Sequence, residues 1–147
     1  MTPTTLRALR VSIDSIIESV TPDHPDLVDH PWARVRAIDD LRGPAIRAFM
    51  SRFLVGNWVE DGIFGAGHES MAELRIYTGY IGLPQDEDGG IIDADRRQLT
   101  VALLDSVDPV ITGLIHAAYS GWTYEDETPG SVWGYHSFEI RWLAADD

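Results

Sequence analysis

Two stretches of strict two-residue alternation constrain this chain most. In the first, Ala72, Leu74, Ile76, Thr78 and Tyr80 alternate with Glu73, Arg75, Tyr77 and Gly79. In the second, Val132, Gly134, His136, Phe138, Ile140 and Trp142 share one face, and Trp133, Tyr135, Ser137, Glu139, Arg141 and Leu143 share the other. A period of two marks a strand with one buried face. That buried face needs an apolar partner, and the N-terminus offers one. Leu6, Leu9, Ile13, Ile16, Ile17 and Val20 recur at three- and four-residue spacing, which predicts a helix over 4–20. Thr4 or Thr5 is its N-cap, and Thr21-Pro22 stops it, because proline lacks an amide proton and disfavours helical backbone in the preceding residue.

The other segments follow from turn residues and shorter patterns. Residues 21–32 contain three prolines and read as an extended connector, 34–38 as a short strand, and 39–44 as a turn. Residues 46–59 read as a strand with Phe49, Ser51, Phe53 and Val55 on one face. A helix over 44–54 also fits, through Ile46, Phe49, Met50 and Phe53. Residues 60–70 are a glycine-rich loop that exposes Ile63 and Phe64, and 82–90 an acidic loop. A second helix is expected over 93–107, capped by Asp93 and buried through Leu99, Ala102, Leu103 and Ser106. Strands 111–124 and 131–143 flank a turn at 125–130. The order is α, short β, β, β, α, β, β. It predicts one α+β domain over 1–147: a mainly antiparallel sheet of two hairpins, with the N-terminal helix and the central helix on one face. A chain of 147 residues leaves no room for a second core.

Charge and cysteine content then remove whole classes of function. Twenty-four acidic residues face eleven basic ones, all arginine, for a net charge of −13. A surface of that sign repels phosphate backbones, so binding or reading DNA is not expected. The charge is uneven: residues 1–52 carry seven arginines and seven acids, whereas 53–147 carry four and seventeen. Such asymmetry fits faces with different partners, and equally an acidic surface that serves only solubility. With no cysteine, disulfides, thiolate nucleophiles and cysteine zinc sites are excluded, which is compatible with the cytoplasm. No apolar run approaches the ~18–20 residues of a membrane span. The N-terminus also lacks a basic segment followed by an apolar one, so neither a membrane protein nor an exported one is expected.

No motif for catalysis or cofactor binding survives inspection. Counted from Asp86 as a calcium loop, the required glycine and terminal glutamate positions hold Ile91 and Arg97. Gly62, Gly65 and Gly67 are in the wrong order for a phosphate cradle, and no nucleophile elbow is present. Of His24, His30, His68, His116 and His136, only His116 and His136, in adjacent expected strands near Glu139, offer an acid/base pair; ordinary hydrogen bonding is the preferred reading. No enzyme activity, cofactor or metal is therefore expected. Among the tryptophans, Trp122 and Trp142 read as core, while Trp58, beside Ile63 and Phe64, is the best interface candidate.

Taken in order, the segments RAFMSRFLVG, AELRIYTGY, DADRRQLTVALLDSV and HSFEIRWLA, behind an amphipathic N-terminal helix, resemble the tail terminator proteins of long-tailed bacteriophages (tail completion, minor tail protein U-like). The resemblance covers nearly the whole chain and rests on pattern and size. It implies a structural virion protein of the tail or neck, assembled in the host cytoplasm, that forms a ring, typically a hexamer, on the finished tail tube. Its partners would be further copies of itself, the tube protein and the head–tail connector or stopper, with DNA passing through the lumen without specific binding. On this reading Trp58, Ile63, Phe64 and His68 belong to a subunit or partner interface. Asp86, Glu87 and Asp88, or Glu125, Asp126 and Glu127, line the lumen or a docking surface. The alternatives are a head-completion or stopper protein of the neck, and a small α+β ligand-binding protein or enzyme with an apolar pocket near His116 and His136.

Overall fold

The computed structural model describes residues 1–22, 25, 29–42, 47–54, 63–64, 67–81, 88–128 and 131–145, with backbone alone at 42, 63–64, 67–68, 81, 88–89, 124–128 and 131. Along the chain lie α1 (Leu6–Glu18), β1 (Ala33–Arg34), a 3-10 turn (Ile38–Arg42), β2 (Arg47–Leu54), β3 (Ile63–Phe64), β4 (Gly67–Ile81), α2 (Asp88–Leu104), β5 (Leu114–Thr128) and β6 (Ser131–Ala144). The strands form one sheet in the order β1-β2-β4-β6-β5, with β3 paired to β4. Every pairing is antiparallel except β1 with β2. The fold is thus α+β with a mainly antiparallel sheet, as the alternation predicts.

Both helices pack on the same face. Leu9, Ile13 and Ile17 of α1 and Ile91, Leu99 and Leu103 of α2 bury against Phe49, Leu74, Ile76, Phe138, Ile140 and Trp142. Thr5, rather than Thr4, caps α1; its hydroxyl accepts the Ala8 amide at 3.1 Å. Among the described residues, the opposite face is covered at one end, where Leu41 of the 3-10 turn packs with Ala48 and Tyr77, flanked by Trp133 and Tyr135.

The sequence reading misplaces several boundaries. Residues 47–54 do form the strand expected there rather than the alternative helix, with Phe49 and Ser51 inward and Arg52 outward. The stretch expected as a loop over 60–70 contains β3 and the first four residues of β4. Helix α2 begins at Asp88 rather than Asp93, so Asp93 is no cap. It lies one turn inside, where hydrogen bonds from Arg96 and then Arg97 hold its carboxyl below the usual range. The expected turn over 125–130 is strand as far as Thr128. In each case glycines or a run of acids mask continuing backbone regularity. Two long strands in register supply pairing energy that local propensity does not show.

Gly79 shows why the 3-10 turn sits so close to the sheet. A Cβ built there would overlap the carbonyl oxygen of Leu41 and come within 3.0 Å of its Cβ. We expect Gly79→Ala to lose about 1–3 kcal/mol in urea unfolding, because the overlap is with backbone and the turn must lift. Gly90→Ala, exposed in α2 with nothing within 4 Å of its Cβ, should instead gain about 0.5–1 kcal/mol.

Candidate functional site

Of the expected interface and docking residues, Ile63, Phe64 and His68 lie at one end of the sheet and Glu125, Asp126 and Glu127 at the other. Ile63 pairs with His68 and Phe64 with Gly67, so β3 brings three of the four interface candidates together in one hairpin. His68 in turn pairs with Ala144, the last residue of β6. Glu125 and Asp126 pair with Trp133 and Val132, near the first residues of β6, and Glu127 follows them. The eleven-residue separation between Trp133 and Ala144 spans on the order of 35 Å of strand. Ile81, where β4 ends, pairs with Ser131, as does Thr128. β4 therefore ends at the same end of the sheet as β5. Asp88 opens α2, while Trp58, Asp86 and Glu87 lie outside the described residues.

The possible histidine pair does not form. His116 pairs with Arg141 and is exposed, whereas His136 pairs with Trp122 and is fully buried beneath the helices. Successive positions on a strand face opposite ways, and the two side chains point to opposite faces. Glu139 shares His116's face and is held by Arg141 (3.1 Å). His136 lies between the rings of Tyr119 and Trp122, each with its centroid 6.1 Å away, the Trp122 ring stacked at 23°. Burial, assisted by the positive charge of Arg96, pushes its pKa down to about 4. At neutral pH it is uncharged, well away from the pKa near 7 that suits proton transfer.

Two buried polar clusters fasten the helices to the sheet instead. Asp95 of α2 receives hydrogen bonds from Arg47 Nε (3.0 Å), Arg47 Nη2 and the Tyr80 hydroxyl (2.6 Å). The guanidinium lies 3.7 Å over the Trp32 ring and also donates to the His30 carbonyl (3.3 Å). Around α1, the Ser51 hydroxyl donates to Asp14, which also faces Arg34 Nε at 3.4 Å. These are anchors within a core, and each charge is matched inside its own cluster.

The face without helices carries a repeated Glu-x-Arg pattern. Glu73-Leu74-Arg75 on β4 and Glu139-Ile140-Arg141 on β6 run antiparallel, with Glu73 directly opposite Glu139. Like charges at that spacing repel. Each carboxylate is answered by its own arginine, Arg75 Nε at 2.8 Å and Arg141 Nε at 3.1 Å. The Ser137 hydroxyl adds a bond to Glu73 (2.9 Å). Glu73 accordingly titrates below the usual carboxylate range, chiefly through its bond from Arg75. A depression of about 490 Å³ lies open on this face, lined by Leu54, Met71, Glu73, Ser120, Ser137 and Glu139. Among the described residues no group of three or more His, Asp or Glu is placed to hold a metal ion, and no helix is long and apolar enough to cross a membrane.

The sheet edges are the least expected part of the surface. At one edge, the Phe49 carbonyl accepts the Val35 amide (2.9 Å), and the Ser51 carbonyl accepts Arg10 Nη2 of α1 (2.8 Å). At the other edge, β5 breaks register with β6 at three places, between Leu114 and His116, Tyr119 and Gly121, and Asp126 and Thr128. Bulges and capped carbonyls are the usual means by which an edge strand avoids pairing with another chain. On β5 sits Trp122, 48% exposed. Trp142 is core, as expected, but Trp122 is not: one side of its ring rests on His136 while much of the side chain faces solvent at the sheet's margin. The bulge at Ser120 shifts the strand by one residue and puts Trp122 on the same face as Ala117 and Tyr119, and its exposure follows from β5 being the last strand of the sheet.

In comparison with known proteins, the chain matches no family model and no curated protein.

Proposed function

We propose that this chain is a structural assembly protein, a subunit that joins copies of itself into a ring closing the head-proximal end of a phage tail tube. One observation supports the reading above the others: the sheet order converts the charge asymmetry of the sequence into a polarity across the molecule. The near-neutral first third forms α1 and the β1–β2 edge, and the acidic remainder forms β4, α2, β6 and the β5 edge. A subunit with unlike edges makes head-to-tail contacts, which generate rings when the rotation closes. In this arrangement Asp86, Glu87 and Asp88 are assigned to the lumen, where like charge keeps a passing phosphate backbone from adhering. The hairpin of Ile63, Phe64 and His68, at the far end of the sheet, is assigned to the tube protein or the head connector. A neck stopper would share the subunit architecture and differ in the surface it docks.

The test is to mix the purified protein with sheared tail tubes and image them. Density capping one end of each tube, with tube length no longer increasing when free tube protein is added, is the expected result. Tubes that stay bare and continue to grow would remove the terminator reading. Selective binding to isolated head connectors would instead favour the stopper.

A further inference from the structure

We propose that two copies of this chain meet head to tail through side chains, with Trp122 at the β5 edge of one copy seated against the arginines beside β1 of the next. The proposal deepens the ring reading by naming the two surfaces, and in that sense rests on it.

The register places the two surfaces at matching heights. Arg34, Phe49, Thr78, Gly134 and Tyr124 form one continuous row across all five strands of the main path. Arg34 and Tyr124 therefore occupy opposite margins at the same level, and Trp122 is two residues, or about 7 Å, along β5 from that row. The two groups also share a face. Arg34 points toward Asp14 of α1, and Trp122 lies on His136, beneath which the helices pack. Head-to-tail repetition, each copy displaced across the sheet and rotated on the last, brings them together. Arg34 keeps 49% of its side chain exposed despite its contact with Asp14, and Arg36, two residues on, is exposed as well.

The chemistry is complementary. An arginine guanidinium over an indole face gains electrostatic attraction from the ring quadrupole, and Trp and Arg are both among the residues enriched where interfaces carry their binding energy. Glu125, Asp126 and Glu127 continue the same strand beyond Trp122, which puts acidic residues on the margin that would receive the arginines. Trp122 is pre-positioned by its stack on a buried residue, so little side-chain freedom is lost on contact. Backbone pairing between the two edges is disfavoured by the β5 bulges and by the Arg10 cap on Ser51, which leaves side chains to make the joint.

The chain contains no cysteine, so introduced cysteines report the contact cleanly. Thr123→Cys on β5 and Ala37→Cys beyond β1, both exposed positions, are combined in one chain and treated with a short bismaleimide. The expected product is a ladder of dimer, trimer and larger species from the double variant, with neither single variant giving more than traces. Adding Trp122→Ala should cut the yield roughly tenfold at limiting protein concentration, as loss of a central aromatic anchor does. Absence of a ladder, cross-linking by Thr123→Cys alone, or indifference to Trp122→Ala would each overturn the proposal. The tube-capping assay fails separately. Capped tubes without a ladder discard this contact and keep the ring reading, and a ladder without capping does the reverse.

Discussion

Arg47→Met should destabilise the protein by roughly 3–5 kcal/mol in urea unfolding, the cost of leaving a buried charge without its partner. The arginine side chain is fully buried and its carboxylate partner on Asp95 nearly so. Removing the guanidinium strips Asp95 of a two-pronged contact and leaves only the Tyr80 hydroxyl among the donors named above. The double variant Arg47→Met with Asp95→Asn should recover a large part of the loss. An amide carries no charge to strand, and its oxygen still accepts from Tyr80. Recovery is the informative half of the experiment, since a general packing defect at Arg47 would make the second substitution additive rather than compensating.

The second large effect is set by pH. His136 is neutral in the folded protein, with its pKa pushed down from 6.5 to about 4. Between those values the unfolded chain binds a proton that the folded one refuses, so stability rises with pH across this window. The contribution is complete above about pH 6.5 and lost progressively as the pH falls toward 4. The slope approaches 1.4 kcal/mol per pH unit and the sum is roughly 3 kcal/mol. His136→Gln does not titrate in this range. Between pH 7 and pH 4 the unfolding free energy of the wild type should therefore fall by roughly 3 kcal/mol more than that of the variant, whatever the carboxylates contribute to both. Parallel curves would show that His136 is not desolvated as the structure has it.

Why these two features are hard to see in the sequence is instructive. The helix α1 and strands β4 and β6 were legible because each buries one clean face, and a buried face imposes a period. Arg47 and Asp95 sit on buried faces too, in phase with Phe49 and Leu99 respectively. A charge at an inward position normally argues against burial, and only the partner 48 residues away reverses that inference. Two inward charges of opposite sign, on a strand and a helix that share a core, are the signal that was present. The candidate surface was legible only in part. Ile63, Phe64 and His68 share a tight local hairpin inside a glycine-rich stretch that composition reads as loop. Trp122 reads as core by residue type, and its exposure comes from the place of β5 as the last strand of the sheet, which local sequence does not register. Net charge, by contrast, was fully readable, but its direction across the molecule required the strand order.

The sealed margins of the sheet have a practical corollary for handling this protein. The bulges of β5 and the Arg10 contact on the Ser51 carbonyl hinder the backbone pairing by which chains enter fibres. For the proposed contact of charged and aromatic groups at the rim, mobile ions compete over a distance of roughly 8–10 Å. Ionic strength would then govern that contact, dilute buffer favouring it and salt weakening it.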